Sequence, residues 1–212
     1  MTETTAAPLP PWPDVPPGAG SAHLRRFEDR DEDMIRDLAT DPYVPLIGTL
    51  PAGCGRTGAL AYLQRQRQRH PDGTGFSFAI ADAATDRALG MIGLWLRDYR
   101  LGRAQVGYAV APAARGRGAG SDALRALVGF ASSLPNLHRV EAHIEPWNLA
   151  SIVVIERAGF GYEGLLRSYL EIGGVRRDLG AYSLIRTAPP TTGQSATASQ
   201  PEAAMSTVIT DR

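Results

Sequence analysis

A glycine-rich turn between a strand and a helix constrains this chain more than any other feature. Residues 106–110 (VGYAV) read as the end of a strand. Leu124, Leu127, Val128 and Ala131 then recur on one helical face. Between them stands Arg115-Gly116-Arg117-Gly118-Ala119-Gly120. Glycines lack a Cβ, so the backbone turns tightly there and a ligand approaches it closely. A helix opening at Ser121 presents its first N–H groups unpaired, with the positive dipole end behind them. Arg115 and Arg117 add charge and Ser121 adds a hydroxyl. Such a turn is an anion cradle, and a pyrophosphate is its natural guest. Two familiar phosphate motifs are excluded. The run from Gly116 lacks the third glycine of GxGxxG, and GxxxxGK[ST] needs a lysine, which this chain lacks entirely.

The middle of the chain alternates period-two and period-3.6 segments. Strands are predicted over 23–27, 76–81, 89–96, 105–110, 138–145, 165–172 and 178–185. Helices are predicted over 32–40, 57–69, 121–132 and 148–158. The class is mixed α/β (α+β), with one central, mostly antiparallel, twisted sheet of about seven strands flanked by about four helices. The folded region is expected at 23–187. Residues 1–22 are crowded with Pro, Ala, Thr and Gly and read as a disordered arm. Trp12 reads as an aromatic carried in that arm rather than as a docking residue. Residues 188–212 are polar and low in complexity and read as a second disordered tail.

Composition narrows the function classes. Lys+Arg total 22 and Asp+Glu total 22, so no global basic footprint points to nucleic acid or anionic membrane. A single cysteine, Cys54, rules out an internal disulfide and a cysteine-built metal site. The histidines at 23, 70, 138 and 143 show no ligand spacing, so no metal is expected. No membrane-length apolar run and no basic-then-apolar leader is present, and the expected setting is soluble and cytoplasmic.

Arg115, Gly118 and Gly120 form R-x-x-G-x-G, which resembles the acyl-CoA pyrophosphate signature of the GNAT acetyltransferases. Other segments resemble the ribosomal-protein N-terminal (RimJ/RimL-like) branch of that family. They are Leu24-Arg25 with Asp31, Val106-Gly107-Tyr108, Asn148-Leu149-Ala150-Ser151, and Glu156-Arg157-Ala158-Gly159-Phe160. Glu163-Gly164, Arg177-Asp178 and Tyr182 follow in the same order. The resemblance runs from residue 24 to 186 and implies a GNAT fold with acetyl-CoA as cosubstrate.

By that resemblance the strand ending at Val110 splays from the strand 138–145. The pantetheine arm then pairs with backbone near Ala109, Val110 and Ala111. Arg115, Gly116, Arg117, Gly118, Ala119, Gly120 and Ser121 hold the pyrophosphate. Asn148 contacts the CoA arm, although its place before a helix equally suits an N-cap. Ser151 donates to the departing thiolate. Many GNATs carry a tyrosine acid four residues further on, where this chain has Ile155. Either Glu141 or Glu145, or a water they hold, can serve as general base, and Glu141 is named first. Glu145 and His143 share its strand face, and Glu171 is a further option. Cys54 has no evident base partner and is not assigned as a nucleophile. The implied reaction is direct attack of an amine on acetyl-CoA in a ternary complex. The acceptor is expected to be a protein N-terminal α-amine. A small molecule (amino acid, polyamine or antibiotic) and a non-catalytic acyl-CoA-binding module are the alternatives. No DNA or membrane partner is expected, and the chain is a monomer or homodimer. Acceptor choice is placed in 41–55, the second helix and 173–176.

Overall fold

Phe76, Phe78 and Ile80 alternate along a strand whose other face carries Ser77, Ala79 and Ala81, and all six are buried. A strand covered on both faces belongs inside a sheet with layers above and below. The computed structural model, which describes residues 9–186, has that arrangement. The strands are β1 (Gly18–Ala19), β2 (Ala22–Arg25), β3 (Gly75–Asp82), β4 (Ala88–Trp95), β5 (Arg103–Val110), β6 (Arg139–Ile144), β7 (Gly161–Ile172) and β8 (Val175–Ile185). They form one eight-stranded sheet in the order β1-β2-β3-β4-β5-β6-β8-β7. Every neighbouring pair is antiparallel except β5 with β6. The helices are α1 (Glu32–Leu38), α2 (Val44–Ile47), α3 (Arg56–Gln68), α4 (Ala119–Ser133) and α5 (Leu149–Arg157).

The two sheet faces carry separate cores. On one, α4 brings Leu124, Leu127 and Phe130, and α5 brings Ile155, against Leu24, Phe76, Phe78, Ile80, Ile92 and Leu94. On the other, α1 and α3 bring Ile35, Leu38, Tyr62 and Leu63 against Ala79, Ala88 and Ala111. No helix among the described residues is long and apolar enough to cross a membrane.

Three differences from the sequence reading are physical. The short α2 forms inside the Pro/Gly-rich stretch, where Asp41 Oδ1 accepts from the N–H groups of Tyr43 and Val44 at 2.8 and 2.9 Å. Helix α4 opens two residues before Ser121, so Ala119 and Gly120 belong to its first turn. The boundary expected at residue 23 falls inside the β1–β2 hairpin. There the Ser21 N–H and hydroxyl both donate to Asp122 of α4, at 2.8 and 2.9 Å.

The described part of the arm, from residue 9, lies against the sheet. Trp12 stands 4.6 Å from the ring of Phe78 and 5.6 Å from Phe76, with the Arg26 guanidinium 4.1 Å over the indole. His70 Nε2 and the Pro10 carbonyl meet at 2.9 Å. Trp12 is therefore a docking residue, which corrects the reading of it as incidental. Residues 1–8 of the expected arm and the C-terminal tail lie outside the described residues. Trp12→Ala is expected to lower the unfolding free energy by about 2 kcal/mol, below the cost for a fully buried tryptophan because this one is only partly buried. Guanidinium denaturation followed by circular dichroism checks it. An unchanged midpoint would mean that the contact adds nothing.

Candidate active site

The parallel pair is incomplete. Strands β5 and β6 are in register at Arg103–Arg139, Ala104–Val140 and Gln105–Glu141, and then part. Beyond Gln105, β5 keeps only its antiparallel partner β4, as far as Val110 opposite Gly90. Alternation along that ladder decides which backbone groups are spoken for. The Ala111 N–H donates to the Leu89 carbonyl at 2.9 Å. Ala111 and Ala109 therefore point their polar groups at β4, while Tyr108 and Val110 point theirs into the opening. Of the three residues expected to pair with a pantetheine arm, the ladder leaves Val110 facing the gap. Its carbonyl already accepts from Arg115 Nε at 3.0 Å.

The glycine turn closes one end of this opening. Gly116 and Gly118 have φ of +77° and +84°, a region that strains any residue with a Cβ. A Cβ built on either meets nothing within 4 Å among the described residues, so open space surrounds both. Gly118 caps α4 and its carbonyl accepts from the Asp122 N–H at 3.0 Å. The N–H groups of Ala119, Gly120 and Ser121 thus have no intrahelical partner. An acid in the first turn would oppose an anion there. Asp122 is turned away, held by Ser21 and by Arg125. Burial raises its carboxyl, but these donors outweigh that and keep it below its usual range. Arg115 is clamped by Asp41 at 2.6 Å, whereas Arg117 makes no hydrogen bond or ion pair among the described residues. Positive-φ glycines, free N–H groups and an uncommitted arginine fit a pyrophosphate.

Helix α5 starts at the same opening. Asn148 Oδ1 accepts from the Ser151 N–H at 3.2 Å, which makes Asn148 the N-cap of α5 and leaves its amide nitrogen and one oxygen lone pair for a ligand. Ser151 lies in the first turn, half-buried. Ile155 is fully buried in the core, so α5 offers no phenol. Tyr108 does. Its side chain passes under the first turn of α4, with Cε2 3.4 Å from where a Gly120 Cβ would stand. Burial pushes the phenol above its usual pKa, and the neighbouring Ser151 hydroxyl pulls it partly back. Sequence reasoning used Tyr108 only as a family marker. Its signal was its parity with Val110 on a strand ending at the glycine turn.

The acids are sorted by the same register. Glu141 sits in the paired part of β6, opposite Gln105. Its carboxylate is held by Arg139 Nε at 2.6 Å, and Arg139 also bonds Glu163. That ion pair, with the Ser183 hydroxyl, holds the Glu163 carboxyl down at about 2. Glu141, named first among the expected bases, is thus a member of a charge network at the closed end. Glu145 lies past the end of β6, on the splayed side, and is only 4% exposed. Arg177 approaches it at 3.7 Å. Burial pushes the Tyr43 phenol up, and the neighbouring Glu145 carboxylate raises it further. Trp147 packs edge-on to Tyr43 at 4.9 Å and is 58% exposed. His143 faces Gln105 at 3.3 Å and the ring of Tyr169 at 5.1 Å, and burial lowers its pKa. Glu171 is exposed on β7, paired in register with Arg176. The segments expected to choose the acceptor do meet: Gly173 stands against the side chain of Leu46. Cys54 is half-buried beside Gly58, in the same stretch as α2.

Comparison with known proteins agrees with this geometry. The acetyltransferase (GNAT) domain family matches residues 22–161. The N-acetyltransferase p20 of Bacillus licheniformis is 30% identical over 163 residues, covering 77% of this chain and 92% of that protein. The [ribosomal protein uS5]-alanine N-acetyltransferase of Escherichia coli (strain K12) is 27% identical over 162 residues, covering 73% of this chain and 82% of that protein. Mycobacterium smegmatis RimJ, solved in complex with CoA-disulfide, superposes with a TM-score of 0.71 at 27% identity, covering 82% of this chain and 88% of that one. With an opening between β5 and β6, a glycine-capped α4 and a family match over most of the described residues, the chain belongs to the GNAT acetyltransferase family.

Proposed function

We propose that this protein is an acetyl-CoA-dependent N-acetyltransferase of the cytoplasm whose acceptor is a protein N-terminal α-amine. The observation that carries the acetyl-CoA reading is the union of the β5–β6 opening with the unpaired N–H groups at the α4 N-terminus. The acceptor reading rests on the buried carboxylate of Glu145, with exposed aromatic surface at Trp147 two residues on and at Tyr169 against His143. It is also supported by the ribosomal-protein alanine N-acetyltransferase named among the relatives.

The glycine turn, Arg117 and the first N–H groups of α4 hold the pyrophosphate. The Val110 N–H faces the position of the acetyl carbonyl oxygen and stabilises the oxyanion. Glu145 takes one proton from the incoming ammonium, whose free pKa is about 8. The amine nitrogen then forms a bond to the acetyl carbon, and the carbon–sulfur bond breaks with its electron pair on sulfur. Ser151 donates a hydrogen bond to that sulfur. The second proton shed by nitrogen balances the proton that sulfur takes up. No covalent enzyme intermediate is needed.

The test is an acceptor screen read by mass spectrometry. Acetyl-CoA is supplied with peptides bearing free N-termini, with spermidine, and with free amino acids. Acetylation of a peptide α-amine is the expected result. A product formed only from spermidine or amino acids would replace the acceptor class. Acetyl-CoA binding with no product from any amine would make the protein a binding module.

A further inference from the structure

Among the described residues three buried side-chain polar atoms lack a hydrogen-bond partner, on Glu32, Gln66 and Tyr108, and only that of Tyr108 borders the β5 opening. The Tyr108 hydroxyl is sealed from solvent and completes no hydrogen bond among the described residues. Buried hydroxyls almost always find partners, and an unpartnered one calls for an explanation. Its surroundings supply one. Tyr108 and Val110 share the β5 face beneath the first turn of α4, where a Gly120 Cβ would stand 3.4 Å from each side chain. The Ser151 hydroxyl, in the first turn of α5, is the polar neighbour of the phenol. The phenol is therefore wedged between two helix N-termini, which are positive ends presenting donors. A pocket furnished with donors is completed by an anion.

We propose that Tyr108 is a positioning residue for sulfur: when CoA is bound, its hydroxyl donates to Ser151 Oγ, so that the Ser151 hydrogen is turned toward a thiolate held between β5 and β6. This rests on the acetyl-CoA reading above. Tyr108 keeps its own proton throughout. Its hydrogen stays in the bond to Ser151 while the Ser151 hydrogen is shared with sulfur, so no net charge moves through the pair. The strand thus supplies the phenol that α5 lacks at Ile155.

The experiment uses CoA itself as the probe and needs no acceptor. The ultraviolet absorbance of the bound thiolate is titrated against pH in the wild-type protein, Tyr108→Phe, Ser151→Ala and the double variant. Calorimetry measures CoA affinity in each. In the wild type, the bound thiol is expected to ionise more readily than in free CoA. Each single variant is expected to lower the thiolate fraction at fixed pH about tenfold. The double variant is expected to be no worse than Ser151→Ala, because Tyr108 acts through Ser151. CoA affinity is expected to stay within about threefold, which also certifies folding. A Tyr108→Phe thiolate fraction equal to the wild type, or losses that add in the double variant, would overturn the proposal and leave the acetyl-CoA reading intact. Failure of the wild type to bind CoA would remove both.

Discussion

Gly118→Glu is expected to weaken acetyl-CoA binding by about 100-fold. Gly118 adopts φ +84°, where a residue with a Cβ is strained by about 1–2 kcal/mol. Nothing among the described residues lies within 4 Å of a Cβ built there, so the first side-chain atom is accommodated and the carboxylate is carried toward the space proposed for the pyrophosphate. Two like charges about 5 Å apart at an effective dielectric near 20 repel by about 3 kcal/mol, which is about two decades in Kd. Gly118→Ala separates the causes. It carries the strain without the charge, and its Kd is expected to rise by less than about tenfold. Calorimetric titration with acetyl-CoA reads both. Normal binding by Gly118→Glu would remove the turn from the binding site.

Glu145→Gln is expected to lower kcat/KM by about 10²–10⁴ while leaving acetyl-CoA affinity unchanged, the range typical for loss of a general base. Glutamine keeps the shape of the side chain, so folding is preserved. The deficit should shrink as pH rises, because above about pH 8 an α-amine is increasingly free without help. Glu141→Gln provides the contrast. It removes one partner of a partly exposed ion pair with Arg139, and kcat/KM is expected to stay within about threefold. Steady-state kinetics on the peptide found in the acceptor screen decide between the two acids. A large loss in Glu141→Gln with none in Glu145→Gln would reverse the assignment.

Much of the fold was legible because its causes are local. Residues 76–81 alternate so plainly that β3 follows from period alone. The face of Leu124, Leu127 and Ala131 called for α4 before any neighbour was known. The hairpin at Gly18–Ala19 and the docking of Trp12 were not legible. A proline-rich segment has no period of its own, and what orders it is the aromatic surface of β3 and the carboxylate of Asp122 in α4, both distant in sequence. The four-residue α2 was hidden for the same reason. It depends on Asp41, which is itself clamped by Arg115 from the glycine turn.

The anion cradle was determined by the sequence itself, because glycine conformation and the unpaired N–H groups of a helix start belong to contiguous backbone. Asn148 shows the limit: its position before a helix allowed two roles, and only the 3.2 Å bond to the Ser151 N–H showed the cap being made. The choice between Glu141 and Glu145 was beyond the sequence altogether. Side chains on a strand repeat every two residues, so the two acids share a face and look equivalent. Tertiary structure separates them through the register of one parallel pair. Gln105 meets Glu141 where β5 and β6 are still bonded, and Glu145 comes four residues later, where they have parted. Where that pairing stops depends on contacts between strands far apart in the chain, and no local pattern encodes it.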